Sequence, residues 1–403
     1  MSDKLLYHGL GVWGYRVTRQ QFSHERCRME IREEGHRFRC SVCGSREVIR
    51  RGCVPRTFLA PPIGGKVVEL RYEVPRVECR DCGVVRQVRL PFAEEHRRFT
   101  KSFERYVLEL SKRMTIQDVA HHLGIGWAVV KDIQKRYLKR RFRRVKLRGL
   151  RRIAIDEIAS KKGHNYLTIV LDLATGAVVF VGDGKGMEAL RPFWAKLARA
   201  KARLAAVAMD LSPAYLSAVM KNLKGVAIVF DRFHVMKLFN DRLSQLRRDL
   251  FRESDVLGRK MLKGTRWLLL KNAENLGNER RERERLEEAL RFNEPLAEAY
   301  YMKEHLRQFW EQPDKATAIR FLDEWISWGL SSGIKILIDM ARTLAFYRFG
   351  LLAWYDYPIS TAALEGTNNK IKTMKRQAYG FRDMEFFKLK ILALHETRYE
   401  LVG

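Results

Sequence analysis

The chain has 403 residues, with 77 Lys and Arg against 47 Asp and Glu, a formal net charge of +30 and a pI near 10.1. Apolar residues at 46% and aromatics at 11% exclude a generally disordered chain, and no apolar run approaches the ~20 residues that cross a bilayer. So large a positive excess calls for a polyanionic partner. Nucleic acid comes first, because each neutralised phosphate adds affinity by releasing counterions.

The first residues, MSDKLLYHGLGVWGYRVTRQ, lack the order of a signal peptide, and six cysteines in so long a chain do not make a disulfide scaffold. A reducing cytoplasm, with the protein on the nucleoid, is the expected compartment. Charge is uneven: residues 1–150 hold 34 Lys and Arg and 16 Asp and Glu, which is +18 of the +30. No repeat or low-complexity tract is visible.

Residues 30–92 read as short strands between turns, Lys66–Val74 being an example of partial alternation. Two CxxC pairs, Cys40/Cys43 and Cys79/Cys82, lie in this stretch, each followed directly by a glycine (Gly44, Gly83). Thiolates at this spacing can close one tetrahedral Zn²⁺ site. The 35 residues between the pairs exceed the usual ribbon spacing, and a small sheet would fill them. Free or redox-active thiols are the alternative, and His36 could replace one ligand. Cys27 and Cys53 have no partner at ligand spacing and read as packing residues.

Residues 100–147 read as helices. In TIQDVAHHLGIGWAVVKDIQKRYL, Thr115 can cap a first helix, Val119, Ala120 and Leu123 face inward, Gly124 supplies the turn, and Val129, Val130 and Ile133 continue the apolar face. The pattern fits either a helix-turn-helix or an ordinary helical hairpin. Segment Lys135–Arg152, with eleven basic residues and no acid, favours DNA. Trp127, Lys131 and Gln134 would then face the groove. Arg140, Arg141, Arg143 and Arg144 would add phosphate contacts, which bring affinity but no sequence choice.

Apolar runs of strand length follow at Arg152–Ile158, Tyr166–Leu173, Ala177–Val181, Ala205–Met209 and Val226–Phe230, with helical patterns at Met187–Ala200 and Pro213–Leu223. The order is three strands, a helix, a strand, a helix and a strand. From about Phe233 to Tyr355 the chain becomes long, charged, Trp-bearing helical segments such as Arg280–Gln312, whose tryptophans (Trp267, Trp310, Trp325, Trp328, Trp354) are expected in the core.

Asp156 falls in the first of these strands and Asp210 ends the fourth, 54 residues later. Carboxylates at the C-terminal ends of strands stand where open α/β sheets place ligands, and these two meet if the strands are neighbours. Glu365, where a helix begins in ALEGTNNKIKTMKR, is a third candidate. Three converging carboxylates repel unless a hard dication neutralises them, which points to Mg²⁺, two ions or Mn²⁺ in its place, and to phosphodiester chemistry. Glu157 and Asp172 are near competitors, but alternation turns Glu157 to the other sheet face. Asp231 and His234 either lock a corner or orient a ligand from behind the site. Asn369 and Lys372 recur at helical spacing after Glu365, and Lys370, Lys375 and Arg376 add charge for phosphate.

These blocks together resemble the insertion-sequence transposases of the ISL-three family: DEIASKKGHNYLTIVLDLATG from Asp156, MDLSPAYLSAV from Met209, VFDRFHVMKLFN from Val229 and ALEGTNNKIKTMKRQAYGFRD from Ala363. The resemblance covers nearly the whole chain. It implies a DDE recombinase, an α/β ribonuclease-H-like domain interrupted by an all-helical insertion, with Asp156, Asp210 and Glu365 as the metal-binding catalytic triad. It also implies recognition of terminal inverted repeats, cutting of the element's ends, joining to target DNA, and action as a dimer or larger assembly. The expected parts are a zinc-binding module (1–95), a helix-turn-helix with basic linker (96–150) and a catalytic domain (151–403) with its insertion at about 240–355. A non-catalytic DNA-binding regulator and a structure-specific nuclease are the competing functions.

Overall fold

A computed structural model describes residues 4–35, 38–161, 163, 165–277, 281–359 and 362–395; His36 lies outside them. The described residues divide into two units, one up to residue 143 and the other of residues 144–395.

The first unit opens with a single π-helical turn, Leu5–Gly9, and a five-stranded sheet. Its strands are β1 (Tyr15–Phe22), β2 (Arg26–Glu33), β3 (Val48–Ile63), β4 (Lys66–Cys79) and β5 (Val85–Gln87), ordered β1-β2-β4-β3 with β5 also on β4. Alternation buries Cys27, Met29 and Ile31 of β2 and Val68, Leu70, Tyr72 and Val74 of β4. β3 and β4 run 16 and 14 residues, longer than the short strands that their turn residues suggested. β3 is an edge strand, so Pro55, Pro61 and Pro62 interrupt no interior ladder. Cys27 packs in the core as expected, whereas Cys53 is exposed and its thiol donates to Glu73.

Three helices follow: α1 (Lys101–Leu110), α2 (Ile116–Leu123) and α3 (Trp127–Arg141). They share a core of Phe103, Val107, Val119, Ala120, Leu123, Val130 and Ile133. Helix α3 stops at Arg141, so the second half of the basic segment is irregular chain and not the helix expected to 147.

The second unit is built on β6 (Arg152–Lys161), β7 (Asn165–Asp172), β8 (Val178–Asp183), α4 (Met187–Arg199), β9 (Ala206–Met209), α5 (Pro213–Asn222) and β10 (Ala227–Phe230). β6, β7 and β8 form an antiparallel meander, while β9 and β10 run parallel to β6, giving the order β10-β9-β6-β7-β8. This is the ribonuclease-H-like arrangement. One face, with Ile153, Ile155, Val207, Met209 and Phe230, packs under α4, α5 and a helical array. That array comprises α6 (Arg232–Glu253), α7 (Val256–Leu262), α8 (Arg266–Leu270), α9 (Glu282–Phe292), α10 (Glu294–Arg307), α11 (Lys315–Ser331), α12 (Lys335–Phe346) and α13 (Arg348–Leu352). The other face, with Ala154, Ile158, Ala208 and Val229, is covered by α14 (Ala362–Gln377) and α15 (Met384–Leu392).

The stretch Arg280–Gln312 is not one long helix. Asn293 caps α10 by accepting from the Leu296 N–H, and Pro295 sits in the first turn of α10, so α9 ends there. Trp310 and Trp325 are in the core, and the Trp325 indole donates to the Met302 carbonyl. Trp267 and Trp328 are exposed instead, the first under the Arg266 guanidinium and the second donating to Glu298. Trp354 is half-buried.

Candidate active site and nucleic-acid interface

The four paired cysteines come together. Their sulfurs lie within 4.8 Å of one another, with Cys40···Cys82 at 3.6 Å and Cys43···Cys79 at 3.5 Å. A tetrahedron with 2.3 Å Zn–S bonds has sulfur edges of about 3.8 Å, so the set fits zinc. The two arms repeat one geometry: Gly44 donates to the Cys40 carbonyl and Gly83 to the Cys79 carbonyl, at φ +77° and +68°. Only glycine takes that backbone without strain, which explains its place after each second cysteine. Backbone N–H groups of Cys43 and Val42 pull the Cys40 thiol down to about 6. At Cys82 the Val84 N–H likewise pulls the thiol down, but desolvation and the three neighbouring thiols outweigh it and push that group up to about 12. Four sulfurs so close cannot all ionise without a cation.

In the helical part, the Thr115 hydroxyl accepts from the Asp118 N–H and Gly124 ends α2 at φ +62°. Trp127 is exposed at the start of α3, with the Lys131 ammonium 5.8 Å above its ring. Gln134 is not on that face. It is buried, because it lies four residues from both Val130 and Leu138 on the core stripe. Arg140, Arg141, Arg143 and Arg144 are exposed, Arg140 lying 3.6 Å from Glu94.

At the sheet, pairing of Arg152 with Ala206 and Ala154 with Ala208 sets an offset of 206 − 152 = 54, the spacing of Asp156 and Asp210. Met209 pairs with Phe230, so Asp231 continues the same row, its N–H donating to the Met209 carbonyl. Three aspartates thus stand level on three adjacent parallel strands, Asp156 midway along β6 and Asp210 and Asp231 directly after the ends of β9 and β10. Alternation turns all three to the face covered by α14. Burial, then the charges of Asp156 and Asp231, push the Asp210 carboxyl up against the pull of the Ser212 N–H and of His234. Such crowding suits a hard cation with oxygen ligands.

Asp231 is buried and caps α6, its Oδ1 accepting from the Phe233 N–H at 2.9 Å, with His234 Nε2 at 3.7 Å from Oδ2. Glu157 points to the opposite face, as alternation requires, towards the buried Tyr215 hydroxyl. Asp172 is structural, accepting from the Ala174 N–H and the Thr175 hydroxyl in the turn after β7.

Glu365 sits exposed in the first turn of α14 and lines, with Asp231, a cavity of about 530 Å³. Among the described residues, the four cysteines are the only group of three or more metal-binding side chains gathered within 4.8 Å of one another, so neither the three aspartates nor Glu365 with two of them forms such a group here. One turn further on from Glu365, Asn368 reaches the row, its Nδ2 donating to Asp156 Oδ2 at 2.6 Å. The sequence reading placed Asn369 on this face, but Asn369 is exposed. Nothing short of knowing which strand faces α14 could separate the two neighbours. Lys375 donates to the Ala159 carbonyl at 3.1 Å, bracing α14 on β6, while Lys370, Lys372 and Arg376 are exposed.

Three family models match consecutive stretches of the chain. A zinc-finger of transposases IS204/IS1001/IS1096/IS1165 covers residues 36–82, a helix-turn-helix domain of transposase family ISL3 residues 88–138, and the DDE model of that family, described as a transposase, residues 153–391. The transposase for insertion sequence element IS1001 of Bordetella parapertussis is 33% identical over 98% of both chains. That for IS1557 of Mycobacterium tuberculosis is 28% identical over 91% of this chain and 87% of its own. A solved structure, the Drosophila P element transposase strand transfer complex, overlaps with a TM-score of 0.33 at 12% identity, covering 63% of this chain and 78% of that one. With zinc ribbon, helix-turn-helix and DDE domain in order over nearly its full length, the chain belongs to the ISL3 family of insertion-sequence transposases.

Proposed function

We propose that this transposase binds the terminal inverted repeats of its element through the zinc ribbon, the helix-turn-helix and the basic segment. It then cleaves the ends and transfers them to target DNA with Asp156, Asp210 and Glu365. The row of aspartates across β6, β9 and β10 carries this reading. Its oxygens face one side of the sheet, level with the C-terminal ends of β9 and β10, the edge where such sheets place ligands. Two Mg²⁺ ions, or Mn²⁺, would supply Lewis acidity and an activated water or 3′-hydroxyl when bound. Asp156 and Asp210 would hold them, and Glu365, on the helix that covers the row, would complete the site when α14 closes on DNA. Asp231 fixes the start of α6, and with His234 it orients Asp210 from behind. Exposed Lys372 and Arg376 would take phosphates, and Lys375 keeps α14 in register. Trp127, Lys131 and the arginines at 140, 141, 143 and 144 would lie on DNA. The protein would act on the nucleoid in the cytoplasm as a dimer or larger assembly.

The test is cleavage of a duplex carrying the element's end. Asp156→Asn and Asp210→Asn should each lose about a thousandfold in rate, several kcal/mol at 1.36 kcal/mol per tenfold, while gel-shift affinity holds. Wild-type cleavage in Asp210→Asn would overturn the assignment.

A further inference from the structure

The geometry points to Asn368 as a further oxygen donor to the catalytic cation, bound directly or through a metal-held water. The inference rests on Asp156 carrying that cation. Asn368 lies on α14 three residues after Glu365, so the two share a helix face one turn apart. Its Nδ2 donates to Asp156 Oδ2 at 2.6 Å, and Asp156 Oδ1 accepts from the Glu157 N–H at 2.7 Å. The other end of the amide, Oδ1, is buried and has no hydrogen-bond partner among the described residues. A buried carbonyl oxygen left unpaired is costly, and few native groups are left so.

What would satisfy it must be a donor or a cation, since an amide oxygen only accepts. It must also stand beside a row of three carboxylates. A hydrated divalent ion meets both conditions, and an amide oxygen is a ligand type that Mg²⁺ and Mn²⁺ accept. On this account the Asn368–Asp156 hydrogen bond also sets the carboxylate's rotamer, and the amide adds an oxygen without adding charge to the crowded site.

A role as a mere brace is the alternative, and charge separates the two. Aspartate at 368 keeps an oxygen for the ion but replaces the N–H donor with a negative charge against Asp156. A brace would therefore suffer more from Asn368→Asp than from Asn368→Ala, and a metal ligand would suffer less.

The experiment titrates the full-length chain with Mn²⁺ alone, following the free-ion electron paramagnetic resonance signal, and records thermal melting with and without the ion. Asn368→Ala should weaken Mn²⁺ binding about 10–100-fold with its metal-free melting close to wild type. Asn368→Asp should bind Mn²⁺ at least as well as wild type, melt lower without the ion, and gain more from adding it. Unchanged Mn²⁺ affinity in Asn368→Ala, or weaker binding in Asn368→Asp than in Asn368→Ala, would overturn the proposal. Asp156→Asn distinguishes the two levels. If it abolishes Mn²⁺ binding while the Asn368 variants fail as stated, only the role of Asn368 falls; if it too leaves binding unchanged, the catalytic reading falls with it.

Discussion

Asp231 combines two functions that one substitution can separate. Its carboxylate caps α6 and also contributes charge to the row beside Asp210. Asn is as good a cap as Asp, so Asp231→Asn should melt with the wild type but cleave more slowly. Asp231→Ala should additionally lose about 1 kcal/mol of stability. Thermal melting beside a cleavage assay reads both, and equal melting of the two variants would deny the cap. The helix-turn-helix offers a similar contrast. Lys131→Ala should weaken DNA binding and flatten its dependence on log salt by about one ion. Gln134→Ala should lower stability by about 1–2 kcal/mol with no change in that slope, because Gln134 is packed in the helical core.

At the scale of elements, the zinc loops and the long β3–β4 ribbon form one piece: Cys79 ends β4, and Cys40 and Cys43 precede β3. Strong chelators, or Cys43→Ser, should release the ribbon's tip, seen as lost amide protection at Val48–Arg50 and Val77–Cys79. On the same sheet, burial works against the Glu69 carboxylate, but Arg28 and Arg26 outweigh it and hold the group below its ordinary value. A depressed carboxyl contributes its stability above the unfolded value of about 4.3 and loses it as pH falls through the folded one. Both arginines are half-exposed, so Glu69→Gln should cost roughly 0.5–1 kcal/mol at pH 7 and progressively less as pH falls below the ordinary carboxylate range, in denaturant melts at each pH.

The elements show how much was readable beforehand. The alternation of Ile153, Ile155 and Asp156, and the run before Asp210, gave the strands and even the facing direction of Glu157, because a period of two leaves little freedom. The four cysteines and the Thr115–Gly124 caps were legible for the same reason: their chemistry is local. Asn368 was not, since two adjacent asparagines look alike until α14 has a neighbour. Nor was Gln134, a polar residue on a buried stripe, or the exposure of Trp267 and Trp328, which their apolar rings did not suggest.

For the whole molecule, +30 of formal charge makes ionic strength the main control over DNA binding. With six to ten phosphates neutralised, affinity for an end duplex should fall about 10³–10⁵-fold between 50 and 200 mM salt. A fluorescence anisotropy titration measures it, and a flat response would exclude the basic segment from the interface. Among the described residues, no helix is long and apolar enough to cross a membrane.

On the proposed assignment the last acid is made only after 133 further residues of helical array and covering helix, since Asp231 and Glu365 stand at either end of that stretch. The cysteine module and the helix-turn-helix leave the ribosome first. A message that stops inside the array would therefore yield a product with the proposed end-binding parts whole and the proposed cutting set short by one carboxylate. Such fragments should occupy the element's termini and shield them from intact enzyme, so a frameshift in the second half of the gene would act as a brake on its own copies.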